Sequence, residues 1–185
     1  SVATPDGFAV SLTTTLSGSF GNGAIVPGTG VLLNNEMDDF AAAPGTPNLY
    51  GLVQGSANAV QAGARPLSSM APAIVEKSGR PLLVVGSPGG STIPTTVLQV
   101  LLRATGGEEL ASAVAAPRLH HQHTPDVVFF ERGRAPAELL EGLRGRGHVP
   151  RERGPIGKVH AVSFAPDGRL VGVADPRGYG ASAAP

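Results

Sequence analysis

Several short stretches of this chain gather side chains that could do chemistry. Leu32 and Leu33 lead into Asn34, Asn35, Glu36, Met37, Asp38 and Asp39. Glu36 and Asp39 could hold a cation such as a substrate ammonium, or the acids could form a solvated turn. No histidine lies near enough in sequence to make them a metal set. Ser68 and Ser69 follow Arg65-Pro66-Leu67. Two adjacent hydroxyls can each donate to one oxygen of a carboxylate, and they also suit an ordinary turn. Gly86-Ser87-Pro88-Gly89-Gly90-Ser91-Thr92 lies between an apolar run and a helical pattern. Backbone N–H groups at such a turn can receive a phosphate or a tetrahedral oxyanion. The Gly-Lys-Ser/Thr ending of a nucleotide-binding P-loop is missing. His120, His121 and His123 suggest a metal, but neighbouring side chains on an extended segment point to opposite faces, which favours a structural role.

The elements that position these residues come mainly as hairpins. Pro5-Asp6-Gly7 separates residues 2–4 from an alternating run over 8–15. Ser78-Gly79 separates 73–76 from 82–86, and Pro166-Asp167-Gly168 separates 160–164 from 170–174. Helices are expected over 95–104, with Thr92 as cap and Gly106-Gly107 as stop, over 108–114, and over 136–144. Residues 21–30 and 41–64 are rich in Gly and Pro, as lids and binding loops are. Strands in antiparallel pairs with helices between them make the class α+β, and nothing reads as a linker, so 1–185 is expected to be a single domain.

Composition narrows the function. Hydrophobic residues are 41% of the 185, enough for a real core and too many for disorder. A net charge of zero argues against nucleic acid or an anionic membrane surface as partner. There is no cysteine, hence no disulfide and no thiolate metal site. No apolar run approaches the ~18 residues of a membrane span.

The order of the motifs is more specific than any one of them. Thr15-Leu16 is followed by Pro27-Gly28-Thr29-Gly30, Leu33-Asn34-Asn35-Glu36-Met37-Asp38-Asp39-Phe40, Arg65-Pro66-Leu67-Ser68-Ser69-Met70, Gly86-Ser87-Pro88-Gly89-Gly90 and Ala116-Pro117-Arg118-Leu119-His120-His121-Gln122. Asp167-Gly168 and Asp175-Pro176-Arg177 close the series. Nearly end to end, this resembles the small, C-terminal subunit of gamma-glutamyltransferases, which are N-terminal-nucleophile hydrolases. The resemblance implies an αββα sandwich completed by a large subunit cut from the same precursor. It implies an N-terminal Thr that attacks a γ-glutamyl amide, with its own amine as base. Thr15 would bond the nucleophile, and Gly89 and Gly90 would supply oxyanion amides. Glu36 and Asp39 would hold the substrate's α-amino group, and Ser68 and Ser69 its α-carboxylate. Tyr50 would lie in a lid. The resemblance implies neither cofactor nor metal. The donor would be glutathione or a related small γ-glutamyl compound.

Two departures from the family pattern stand out. The family's small subunit begins Thr-Thr-His-aromatic, and Ser1 matches the residue that follows, so the nucleophile is expected just upstream. Ser1, with a hydroxyl of its own, is the competing nucleophile; the ungapped match over residues 1–23 speaks against it. Ser17 stands where the family has Asn, a contact to the substrate's amino end. Ser17 motivates a second reading, a biosynthetic-pathway homologue acting on another acyl group or cleaving a C–C bond. A third is a nucleophile-lacking binding subunit. Family resemblance places the protein in the periplasm or outside the cell, and the biosynthetic reading in the cytoplasm.

Overall fold

The computed structural model describes residues 1–184. The Cα packing divides them into two compact units, one of residues 1–13 with those from 70 onward, the other of residues 14–69.

In the first unit, β1 (Val2–Ala3) and β2 (Ala9–Val10) pair antiparallel around Pro5-Asp6-Gly7. This hairpin is much shorter than the alternating run predicts. Beyond Val10 the chain turns to side-chain anchoring: the Ser11 hydroxyl donates to the Val85 carbonyl at 2.8 Å. A four-stranded antiparallel sheet holds β3 (Ala73–Lys77), β4 (Arg80–Gly86), β8 (His160–Phe164) and β9 (Leu170–Ala174), side by side in that order. Ser78 and Gly79 both take positive φ, 54° and 75°, the pairing of a two-residue hairpin turn whose twist matches its strands.

Central strand β4 is apolar almost throughout, with Leu83, Val84 and Val85 buried. Helix α1 (Ile93–Thr105) lays Ile93, Val97 and Val100 against this sheet, and α2 (Leu110–Ala115) adds Leu110 and Val114 to the same core. Gly107, at φ 96°, ends α1 where the glycine pair predicts a stop.

The remaining sheet departs from expectation. It contains β5 (Leu119–His120), β6 (Val128–Glu131) and β7 (Pro150–Arg153), and the β6–β7 pair is parallel, joined through α3 (Ala137–Gly145). The expectation of antiparallel pairs throughout fails here. A strand reading Pro-Arg-Glu-Arg shows no apolar alternation, so its place in a sheet is invisible to pattern.

The second unit has almost no regular structure. It contains 3-10 turns at Glu36–Asp39 and Ser56–Asn58 and isolated bridges such as Ile25 with Leu32. Asparagine side chains do the work of ladders. Asn35 Oδ1 accepts from the Gly18 N–H at 2.7 Å, Asn34 Oδ1 from Glu36 at 3.0 Å, and Asn58 Oδ1 from Leu67 at 3.0 Å. Asn48 Oδ1 accepts from both Tyr50 and Leu52 at 3.0 Å. Short amides that bond nearby backbone stabilise such loops without a sheet.

Candidate active site

The acidic turn is built by local bonds. Asn34 opens it, and the Phe40 N–H closes it on the Met37 carbonyl. Its three acids have separate roles. Asp38 Oδ2 accepts from the Leu49 N–H at 2.8 Å and so braces the following loop. Glu36 and Asp39 face each other instead. Burial of Glu36, then its contact with the Asp39 carboxyl, raise its pKa, and the Ser17 backbone N–H pulls only weakly the other way. Glu36 Oε1 is buried with no hydrogen-bond partner. A pair of opposed carboxylates with an orphaned oxygen suits a cation that carries several N–H donors.

Thr15 and Ser17 share the same unit. Thr15 Oγ1 accepts from the Ser17 N–H at 2.9 Å. Ser17 takes φ 65°, a left-handed conformation that asparagine adopts more readily than serine. The Tyr50 hydroxyl donates to the Ser17 carbonyl at 2.7 Å and lies 3.4 Å from its Oγ. Tyr50 therefore ties its loop to the Thr15–Ser17 segment, a link that sequence reasoning did not anticipate. Ser68 is exposed and Ser69 half-buried on the same unit.

The glycine turn belongs to the first unit. Gly89 holds φ 145° and ψ 10°, and Gly90 φ 57°. A Cβ on Gly89 would sit 2.6 Å from Thr92 Oγ1, so only glycine fits. Thr92 makes no side-chain cap to α1, contrary to the sequence expectation. Its hydroxyl turns back and donates to the Gly89 carbonyl at 2.9 Å. A cavity of about 250 Å³ borders Gly89, lined by Pro88, Pro155, Gly157 and Lys158. A larger groove of about 810 Å³ runs along the hairpin turns near Gly7, Arg80 and Pro166 and contains none of the site residues.

Sequence reasoning gave no role to a buried ionic group in the same unit. Arg118 Nη2 meets Asp175 Oδ2 at 2.6 Å, and Arg177 grips Glu131 through Nε at 2.5 Å and Nη2 at 2.6 Å. Burial pushes Asp175 upward, but the Val159 and Arg177 backbone N–H groups and Arg118 outweigh it and hold its pKa below the usual carboxylate value. The group clamps a loop: Glu131 Oε1 accepts from the Ile156 N–H at 3.0 Å, and Arg118 Nη1 donates to the Ile156 carbonyl at 2.7 Å. Asp175 Oδ2 accepts from the Val159 N–H at 2.8 Å.

The histidines are placed as structure. His120 is buried, with Nδ1 2.8 Å from Thr95 Oγ1 and Nε2 2.8 Å from Gln122 Oε1, and burial lowers its pKa. His121, on the other face, pairs with Asp126 at 2.9 Å. Among the described residues no cluster of His, Asp or Glu is placed to hold a metal.

The α+β architecture, with its glycine turn after a central strand, is that of the N-terminal-nucleophile hydrolases to which the chain is structurally similar. The chain aligns at TM-score 0.92 and 47% identity with acivicin-inhibited gamma-glutamyltranspeptidase, covering 95% of this chain and 96% of that one. It aligns at TM-score 0.91 and 46% identity with the T380A mutant of the Helicobacter pylori gamma-glutamyltranspeptidase, covering 96% and 97%. The glutathione hydrolase proenzyme of Escherichia coli K12 is 48% identical over 178 residues, which is 96% of this chain and 30% of that protein. The gamma-glutamyltranspeptidase family model matches residues 1–185. The chain belongs to the gamma-glutamyltranspeptidase family and spans about a third of the length of the curated relatives it matches.

Proposed function

We propose that this chain is the small catalytic subunit of an enzyme that transfers or hydrolyses γ-glutamyl groups, with glutathione or a related compound as donor. The observation that carries the reading is the Glu36–Asp39 pair with its buried, unpartnered Glu36 Oε1. An α-ammonium brings three N–H donors and a positive charge, which is what two facing carboxylates lack. Family membership supports the rest, since several relatives are named glutathione hydrolase proenzymes.

In this reading a Thr upstream of Ser1, exposed by cleavage of a precursor, attacks the γ-carbonyl. Its amine takes the hydroxyl proton. The carbonyl oxygen becomes an oxyanion, received by the Gly89 and Gly90 N–H groups. Collapse expels the amine leaving group, which takes that proton, and leaves a γ-glutamyl ester. Water or an acceptor amine then attacks the ester and releases the Thr. Thr15 accepts or donates a hydrogen bond at the nucleophile. Ser68 and Ser69 take the α-carboxylate, and Ser17 and Tyr50 border the amino end. The two compact units form one catalytic subunit, and the larger remainder of the precursor is its partner.

The test is Asp39→Ala in the full-length, processed protein. Removing one countercharge of an ammonium should cost about 2–4 kcal/mol of transition-state stabilisation. An unchanged kcat/KM on a γ-glutamyl anilide would sink the assignment.

A further inference from the structure

The glycine turn carries a device that family membership does not explain. Successive carbonyls in it are held by buried hydroxyls. Ser87, 3% exposed, donates through Oγ to the Pro88 carbonyl at 2.8 Å and accepts at Oγ from the Lys158 N–H at 3.0 Å. Thr92, also 3% exposed, donates through Oγ1 to the Gly89 carbonyl at 2.9 Å, and its N–H reaches the same oxygen at 3.2 Å. We propose that Ser87 and Thr92 are positioning residues: by pinning the Pro88 and Gly89 carbonyls they aim the Gly89 and Gly90 N–H groups for the oxyanion. The proposal rests on the γ-glutamyl reading above.

In a trans peptide the C=O and N–H point in opposite directions, so fixing one fixes the other. The Pro88 carbonyl shares its plane with the Gly89 N–H, and the Gly89 carbonyl with the Gly90 N–H. At Gly89 ψ 10° the two nitrogens nearly eclipse, which puts both N–H groups on one side of the turn. Consecutive N–H groups so arranged make an anion nest. A carbonyl that accepts a hydrogen bond also polarises its own N–H into a better donor.

The anchor behind Ser87 is itself rigid. Lys158 lies in the loop whose Ile156 and Val159 are clamped by Glu131, Arg118 and Asp175. Gly157 packs so closely that a Cβ there would lie 2.6 Å from Thr96 Cγ2 and 2.8 Å from Ser87 Oγ. The buried ions thus fix the Lys158 N–H, and Lys158 fixes the rotamer of Ser87.

Thr92→Val and Ser87→Ala, made in the full-length protein, separate positioning from mere stability. Each should lower kcat on a γ-glutamyl anilide about tenfold or more, with KM within about twofold. Affinity for a γ-boronic analogue of glutamate, which mimics the tetrahedral state, should fall by a similar factor, while affinity for glutamate itself holds. Thr92→Ser keeps the hydroxyl and should restore both. With glycine-selective 15N labelling, the Gly90 amide signal should move in Thr92→Val and the Gly89 signal in Ser87→Ala. Either variant with kcat and boronate affinity near wild type, or with its amide signal unmoved, overturns the proposal. A wild-type protein that cleaves no γ-glutamyl anilide would instead defeat the γ-glutamyl reading, and the amide signals alone would then decide the positioning.

Discussion

Asp38 and Asp39 are adjacent acids with different employment, and the difference is set by what faces each. The Leu49 N–H satisfies Asp38, whereas Asp39 faces Glu36. The sequence already offered Glu36 and Asp39 as a cation pair, with a solvated turn as the alternative, but it gave no sign that Asp38 braces the Leu49 loop. The same holds for Thr92. Its position before α1 reads as a cap, whereas its hydroxyl bonds back to the Gly89 carbonyl three residues earlier, as Thr95 does to Thr92. The Glu36 shift has a consequence for stability. A carboxyl with a raised native pKa keeps its proton in the native state after the unfolded chain has lost it. Its contribution is therefore present below the unfolded value, 4.5, and is lost as pH rises through the native value. Glu36→Gln should raise Tm at pH 7, raise KM for γ-glutamyl substrates, and leave Tm at pH 4 nearly unchanged. Thermal melts at the two pH values check this, and a Tm that falls at pH 7 would contradict it.

Elements with a local signature were legible. The β3–β4 and β8–β9 hairpins announce themselves by apolar runs around Ser78-Gly79 and Asp167-Gly168, and α1 by its apolar face between Pro94 and Gly106. The β5–β6–β7 sheet was not, because its strands are short and β7 is charged. Nor was the ionic group, whose members pair across 46 and 57 residues of chain. Breaking such a buried group strands a charge. Asp175→Asn leaves Arg118 partly unpaired, and a loss of about 3–5 kcal/mol in stability is expected. Asp175 has a lowered native pKa, so its contribution is present above the unfolded value of 3.8 and is lost as pH falls through the native value. The variant should therefore melt lower at pH 7 and lose less than wild type between pH 5 and acid, as followed by circular dichroism. Equal melting temperatures at pH 7 would show that the group is dispensable.

At the scale of the whole molecule, chemistry and apolar surface both point beyond this chain. Each compact unit carries one part of the proposed machinery, the acids and hydroxyls on one and the glycine turn on the other. Large side chains stand exposed on each: Phe8 and Leu12 on the first, Phe20, Ile25 and Val31 on the second. The proposed large subunit, from the precursor length that this chain does not span, gives such surface a partner. The motif order made the family readable, while the asparagine-braced loops of residues 14–69 had no periodicity to read. Covalent catalysis by the proposed Thr upstream of Ser1 is read by rapid-quench intact-mass analysis of the full-length, processed protein. With a γ-glutamyl anilide, a burst of aniline is expected, together with a small subunit that gains one γ-glutamyl group on its N-terminal Thr. Turnover without a small-subunit adduct, or an adduct mapped to Ser1, would contradict it.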